Sequence, residues 1–207
     1  MFRLLTVASE YGGGGSLIAQ RVAEKLGWRL LDRALSRAVA QAAQVDEDPV
    51  RRYVEHVDSW WHRFNCSGLW AAAIQAGVPV ADDTFFDGQA VAQLAQKVIA
   101  QAAGTCNCVI VGRGAQYVLH GRDDVLHVFV YGPWEERVSR VRNRGEARDD
   151  AEVLIRLTDR ERARYIRTHY GCDWKDPHLY HMMVNSQIGV ESASQVIADA
   201  VRQGDRA

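Results

Sequence analysis

Short apolar strands alternating with amphipathic helices along 207 residues predict an α/β domain, a five-stranded parallel sheet between two layers of helices. Three observations carry this expectation. A glycine-rich turn joins the first strand-length run to the first helical run. The run Cys108-Val109-Ile110-Val111 is apolar at every position, as a strand covered on both faces must be. Helical patterns separate or follow the strand-length runs along the rest of the chain. The length leaves room for one sizeable domain with an insert.

The elements read in order as follows. Leu4 to Ala8 is short, apolar and strand-capable, and Gly12 to Gly15 breaks it. From Ser16 the chain turns helical, with Leu17, Ile18, Val22, Ala23 and Leu26 at helical spacing and Gly27 as the stop. Trp28 to Asp32 reads as a second short strand ending in an acid. Residues 34 to 88 form a helical insert that closes on loop signals at Gly68, Gly77, Pro79 and Gly88. Val91, Leu94, Ala95, Val98, Ile99 and Ala102 make one apolar helical stripe, with Gly104 predicted to end it. Cys108 to Val111 and Val125 to Tyr131 are the next strands, and Leu179 to Val184 the last. Helices are expected at about 134–144, 150–169 and 190–202. The core thus spans about 1–33 and 89–203, with an arginine-rich segment at about 145–170.

Composition excludes several classes. Apolar residues at 47% and charged residues at 25% are those of a packed globular chain, not a disordered one. A net charge of −1 exerts no overall pull on nucleic acid or membrane. Among the 25 basic residues only Lys25, Lys97 and Lys175 are lysines; the rest are arginines, whose planar fork suits phosphate. The four cysteines show no framework or zinc spacing. No signal peptide or membrane span is read, so a reduced, cytoplasmic setting is expected.

The segment Ser9-Glu10-Tyr11-Gly12-Gly13-Gly14-Gly15-Ser16 links the first strand to the first helix. Glycines let backbone approach a ligand, and the amides and dipole at a helix start favour anions. A phosphate cradle is the natural reading. The dinucleotide pattern Gly-x-Gly-x-x-Gly fails from every starting glycine, which argues against a dinucleotide oxidoreductase. The mononucleotide loop G-x-x-x-x-G-K-[ST] fits in length from Ser9 to Ser16, with Ser16 at the magnesium-side hydroxyl position. Two positions depart from it: Ser9 replaces the first glycine and Gly15 the lysine. A Gly15→Lys change is the direct way to ask what the missing charge is worth.

Four stretches, in order, resemble the cytidylate kinase-like family, relatives of the P-loop nucleoside monophosphate kinases. They are Thr6 to Gly15 with its Glu-Tyr-Gly, Leu26 to Arg33, Val109 to Ala115, and Asp159-Arg160-x-Arg162-Ala163-x-Tyr165 followed by Tyr170-Gly171, Trp174 and Asn185-Ser186. The resemblance runs from about residue 4 to 201 and implies a P-loop kinase fold with an arginine-bearing lid. The loop of that family also lacks the lysine, but usually carries an arginine where Ser9 stands and a basic residue where Ser16 stands.

The resemblance implies ATP and Mg²⁺ as cofactors and phosphoryl transfer to a nucleoside monophosphate, with CMP or dCMP suggested by the family name. Gly12, Gly13, Gly14, Gly15 and Ser16 would hold donor phosphates, and Ser16 the Mg²⁺. Arg113 would grip the acceptor phosphate. Asp32, Arg33 and Arg37 would contact the acceptor, although Asp32 reads equally as a helix N-cap. Arg156, Arg160 and Arg164 share one helical stripe; Arg160 and Arg164 are the candidates to neutralise the transferring phosphoryl, with Arg162 in reserve. Glu136/Arg140 and Glu152/Arg156 have helix-supporting spacing. Trp60, Trp61 and Trp70 lie in the insert and read as core, dimer or base contacts. The partners expected are small-molecule nucleotides, not nucleic acid or membrane, and a homodimer is compatible with the sequence. The alternative is a nucleotide- or partner-binding module with little turnover, because Ser9, Gly15 and Ser16 all lack positive charge.

Overall fold

The computed structural model describes residues 1–31, 88–143 and 151–204. Five strands, β1 (Leu4–Ser9), β2 (Arg29–Leu31), β3 (Cys108–Val111), β4 (Val125–Tyr131) and β5 (Met182–Asn185), form one sheet in the order β2-β3-β1-β4-β5. All four pairings are parallel. The helices are α1 (Gly15–Leu26), α2 (Gly88–Thr105), the single turn α3 (Ala115–Val118), α4 (Trp134–Arg142), α5 (Ala151–Tyr170) and α6 (Val190–Gln203).

Strand alternation divides the core into layers. Leu5 and Val7 of β1 point to one face, where Ile18, Ala19 and Val22 of α1 and Ala193, Ile197 and Val201 of α6 cover them. Leu4 points to the other, against Ile110, with Ile99 and Ala103 of α2 and Ala115 of α3. Farther along the same face Ala8 and Phe129 meet Ile166 of α5, Trp174 and Tyr180. The result is the three-layer sandwich the sequence predicts. Because β1 is central and parallel to both neighbours, the C-terminal ends of β1 and β3 lie side by side, with Val7 in register with Val111. Ligands in such sheets bind beyond those ends.

Two boundaries differ from expectation. The helix predicted to stop at Gly104 continues through it to Thr105, since a glycine with open space around it is a weak breaker. The strand predicted from Leu179 starts instead at Met182, because Pro177–Leu179 forms a 3₁₀ turn capped by the Asp176 carboxylate, which accepts from the His178 amide. The candidates Asp32, Arg33 and Arg37, the three tryptophans of the insert and the first residues of the expected lid lie outside the described residues. Among the described residues no helix is long and apolar enough to cross a membrane.

Candidate active site

Residues 10–14 turn between the end of β1 and the start of α1. Gly14 takes a left-handed conformation, φ 83°, at the helix N-cap, and no acid occupies the first turn. The first amides of α1 have no partner within the helix, so they and the helix dipole form a positive pole beside the loop. Ser16 is exposed there.

Gly15 is glycine for want of space. A Cβ at this position would lie 2.4 Å from Ser9 Cβ and 2.5 Å from Ser9 Oγ. Its φ is not in the left-handed region, so the restriction is steric. The two departures from the mononucleotide pattern are therefore one change. With a side chain at the first position of the loop, the lysine position cannot carry one.

The loop's N-terminal half is held by charged side chains from α4 and α5. The Tyr11 amide donates to Asp159 Oδ1 at 2.8 Å, and Arg137 Nε donates to the Tyr11 carbonyl at 2.8 Å. Arg137 also pairs with Asp159 and, at 3.3 Å, with Glu10. Glu10 further accepts from the Gly132 amide at 3.3 Å and from Lys175 at 2.5 Å. Tyr11 is 3% exposed and Arg137 5%. The sequence reading did not single out Arg137, Asp159 or Lys175 for this. Arg140, read as half of a helix-supporting pair, does meet Glu136 at 2.8 Å, but its guanidinium also donates to the Gly12 carbonyl at 3.3 Å and to Ser186 Oγ at 2.8 Å.

At the end of β3, Gly112, Arg113 and Gly114 have φ of 69°, 59° and 69°. Three left-handed residues in succession reverse the chain sharply. The middle one is not glycine, so it carries strain of about 1 kcal/mol. That turn buries the Arg113 side chain, 3% exposed, against the cleft. The Tyr170 ring lies over Gly114, where a Cβ would sit 2.5 Å from its edge, and stacks on Tyr117 at 4.8 Å.

A cavity of about 40 Å³ opens between these loops, lined by Ser9, Ser16, Arg113, Gln116, Arg162 and Trp174 among others. The structure thus brings Ser16 and Arg113 together and adds Arg162. Arg160 and Arg164 are exposed on α5 and do not line the cavity. The inner face of α5 is set by Ile155 and Ile166, which are buried, and Asp159 and Arg162 fall on that stripe. The i, i+4, i+7, i+11 spacing of these four residues is the signal that could have placed Arg162, the reserve candidate, on the inner face. Its guanidinium donates to the Ser9 carbonyl and lies 5.6 Å over the Tyr11 ring. Its Nε is buried without a hydrogen-bond partner. Burial pulls the guanidinium down to about 10, opposed by the nearby Asp159 carboxylate, so it remains a cation at neutral pH. Among the described residues no group of three His, Cys, Asp or Glu could hold a metal.

The chain matches known proteins at three levels. A curated cytidylate kinase from Methanosarcina mazei is 29% identical over 83 residues, 39% of this chain and 46% of that protein. The chain spans less than half the length of the curated relatives it matches. A crystal structure of an uncharacterized protein from Eubacterium ventriosum superposes with a TM-score of 0.69 at 19% identity, covering 96% of this chain and 98% of the other. Shikimate kinase from Bacteroides thetaiotaomicron superposes with a TM-score of 0.54 at 13% identity, over 96% and 98% of the two chains. These superpositions show a shared fold, a parallel sheet with flanking helices like that of shikimate kinase. The profile of the cytidylate kinase-like family matches residues 4–188, nearly the whole chain and both loops of the cleft, and the chain belongs to that family.

Proposed function

We propose that this chain transfers the γ-phosphoryl of ATP to a nucleoside monophosphate, with CMP or dCMP first among acceptors. The observation that carries the reading is convergence. Ser9 and Ser16, which flank the glycine loop, meet Arg113 and Arg162 at one cleft on the C-terminal edge of a parallel sheet, while Gly12 to Gly15 themselves do not line it. Little covalent chemistry is asked of the protein in phosphoryl transfer; position and positive charge supply most of the rate.

In this reading the amides of Gly12 to Ser16 hold donor phosphates. Arg113, fixed by its buried left-handed turn, holds the acceptor phosphate, and Asp32, Arg33 and Arg37 contact the acceptor nucleoside. Arg162 stands between loop and cleft as the cation for the transferring phosphoryl. Arg160 and Arg164 stay candidates that require α5 to turn or a substrate to reach them. Mg²⁺ bound with ATP would supply neutralising positive charge at the donor phosphates. Ser16, exposed at the cleft, is the residue whose hydroxyl oxygen would hold it. A cytoplasmic setting, nucleotides as the only partners and a compatible homodimer complete the proposal.

A second reading is favoured by one observation, the lack of positive charge at Ser9, Gly15 and Ser16. In it the chain binds nucleotide or a protein partner with little turnover. A coupled assay with ATP and Mg²⁺, offering CMP, dCMP, UMP, AMP and GMP separately, decides between them. Turnover on one acceptor that collapses in Arg113→Ala supports the kinase. ATP binding without turnover on any acceptor supports the binding module. Neither binding nor turnover refutes the kinase and the nucleotide-binding module together.

A further inference from the structure

The glycine loop is pinned from outside. Between Ser9 and Gly12 the backbone groups are held one after another: the Ser9 carbonyl by Arg162, the Glu10 amide by the Val130 carbonyl, and the Tyr11 amide and carbonyl by Asp159 and Arg137. The Gly12 carbonyl is held by Arg140. Four of these five holds come from charged side chains of α4 and α5, more than 120 residues away in sequence. The innermost group is balanced. Arg137 and Lys175 face Glu10 and Asp159, two cations against two carboxylates. Such a group adds no net charge to the loop, so whatever it contributes to phosphate binding it contributes by position.

Resting on the phosphotransfer reading, we propose that Asp159 and Arg137 are positioning residues of the donor-phosphate loop, acting through Tyr11. Both polar backbone groups of Tyr11 are fixed by charge-assisted hydrogen bonds, the strong kind. The two fixing side chains are bonded to each other, which orients both. Arg137 approaches so closely that a Cβ on Gly12 would lie 2.8 Å from the Arg137 carbonyl. The amides of Gly13 to Ser16 inherit their direction from this fixed start. Asp159 and Arg162 lie one turn apart on α5 and hold the loop on either side of Glu10, so the loop and the arginine-bearing helix form one unit without any substrate. A loop poor in charge then binds phosphate by being pre-set, since ordering it costs nothing further on binding.

The test is titration calorimetry of wild type, Asp159→Ala, Asp159→Asn and Arg137→Lys with a non-hydrolysable ATP analogue and, separately, with CMP. Each variant is measured where circular dichroism finds it folded. Asp159→Ala is expected to weaken the analogue by about tenfold or more, the cost of a lost charge-assisted bond, and to leave CMP unchanged. Asp159→Asn, which keeps an acceptor for the Tyr11 amide and folds more readily, falls between it and wild type. In steady state the KM for ATP rises and the KM for CMP does not. Equal loss for analogue and CMP, or binding within about twofold of wild type in both Asp159 variants, overturns the proposal (twofold is about 0.4 kcal/mol, too little for such a bond). A wild-type protein that binds no ATP analogue overturns the phosphotransfer reading itself, and the proposal with it.

Discussion

Ser9 and Gly15 offer a quantitative test of why the loop carries no lysine. Alanine at Gly15 brings a methyl within 2.4 and 2.5 Å of two Ser9 atoms, where carbon atoms normally stay beyond about 3.5 Å. Neither atom can retreat easily. Ser9 ends the central strand, paired with Val130 of β4, and the third neighbour, Val130 Cβ, is already 3.8 Å from the new methyl. Overpacking of this kind costs about 1–3 kcal/mol. For a chain of this size that lowers Tm by roughly 2–12 °C, at about 2–4 °C per kcal/mol. Gly15→Lys adds the same collision before its charge can act.

Ser9→Gly removes both offending atoms. Alone it costs about 0.5–1 kcal/mol of strand entropy. Combined with Gly15→Ala it should cancel most of the second cost, a coupling of about 1–3 kcal/mol. The four proteins of the cycle are compared by urea denaturation. The double variant Ser9→Gly/Gly15→Lys rebuilds the generic loop, and it alone should bind ATP more tightly than the Ser9→Gly parent. Gly15→Ala as stable as wild type refutes the steric argument. So does a cost that is unchanged by Ser9→Gly.

Other outcomes follow from the same geometry. Arg162→Met should lower kcat at the assay's best acceptor by about 10³-fold or more, the scale of a lost transition-state arginine, and by more than Arg160→Gln or Arg164→Gln. Gly114→Ala and Gly27→Ala share the same left-handed penalty of about 1 kcal/mol. Only Gly114 faces a ring, so its variant should be the less stable by a further 1–3 kcal/mol or so in denaturant. His127 is buried beside Thr6 Oγ1 at 2.7 Å and stacked on His181. Burial, with His181 and His120 nearby, pulls it down to about 4. The unfolded chain takes up that proton near pH 6.5 and the folded one does not, so stability falls as pH drops from about 6.5 toward 4. Between pH 7 and 5 this one group removes about 2 kcal/mol, and His127→Asn should lose that part of the pH dependence in urea melts.

The fold was legible because its signals are local. Cys108–Val111 is apolar at each position and proved to be a strand buried on both faces, and the strand–glycine–helix unit is contiguous in sequence. That Ser16 and Arg113 lie together at the cavity was legible for the same reason, since each follows a strand whose C-terminal end is where a parallel sheet binds ligands. Arg162, which lines the cavity, was held only in reserve behind Arg160 and Arg164 because charge spacing was followed ahead of apolar spacing. The arginines four apart, 156, 160 and 164, lie on a face of α5 that nothing buries, whereas Ile155 and Ile166 draw 159 and 162 inward. Arg137 and Lys175 carry no local signal at all. Their partner Glu10 is more than 120 residues distant, and nothing in one sequence states that pairing.

The missing charge takes a different meaning once the partners are known. Read along the chain, Ser9, Gly15 and Ser16 are three losses, and they argue for a crippled loop. In space the serine side chain excludes the lysine, and cations arrive at the loop from elsewhere. Arg137, Arg140, Arg162 and Lys175 all contact residues 9–12. Three of the four meet carboxylates, Glu10, Glu136 or Asp159, which hold them in place and cancel their charge. Arg162 keeps its buried Nε without a partner beside the cleft. On the phosphotransfer reading, Arg162 would stand in for the lysine of a generic loop, although Asp159 and Glu10 lie near enough to favour its charged form. Because Arg162 stands on α5 and not in the loop, its distance from phosphates bound as proposed would depend on how firmly Asp159 and Arg137 tie that helix to Tyr11. Weakening the tie should therefore move ATP affinity and the effect of Arg162→Met together, whereas a structural ion pair would move neither.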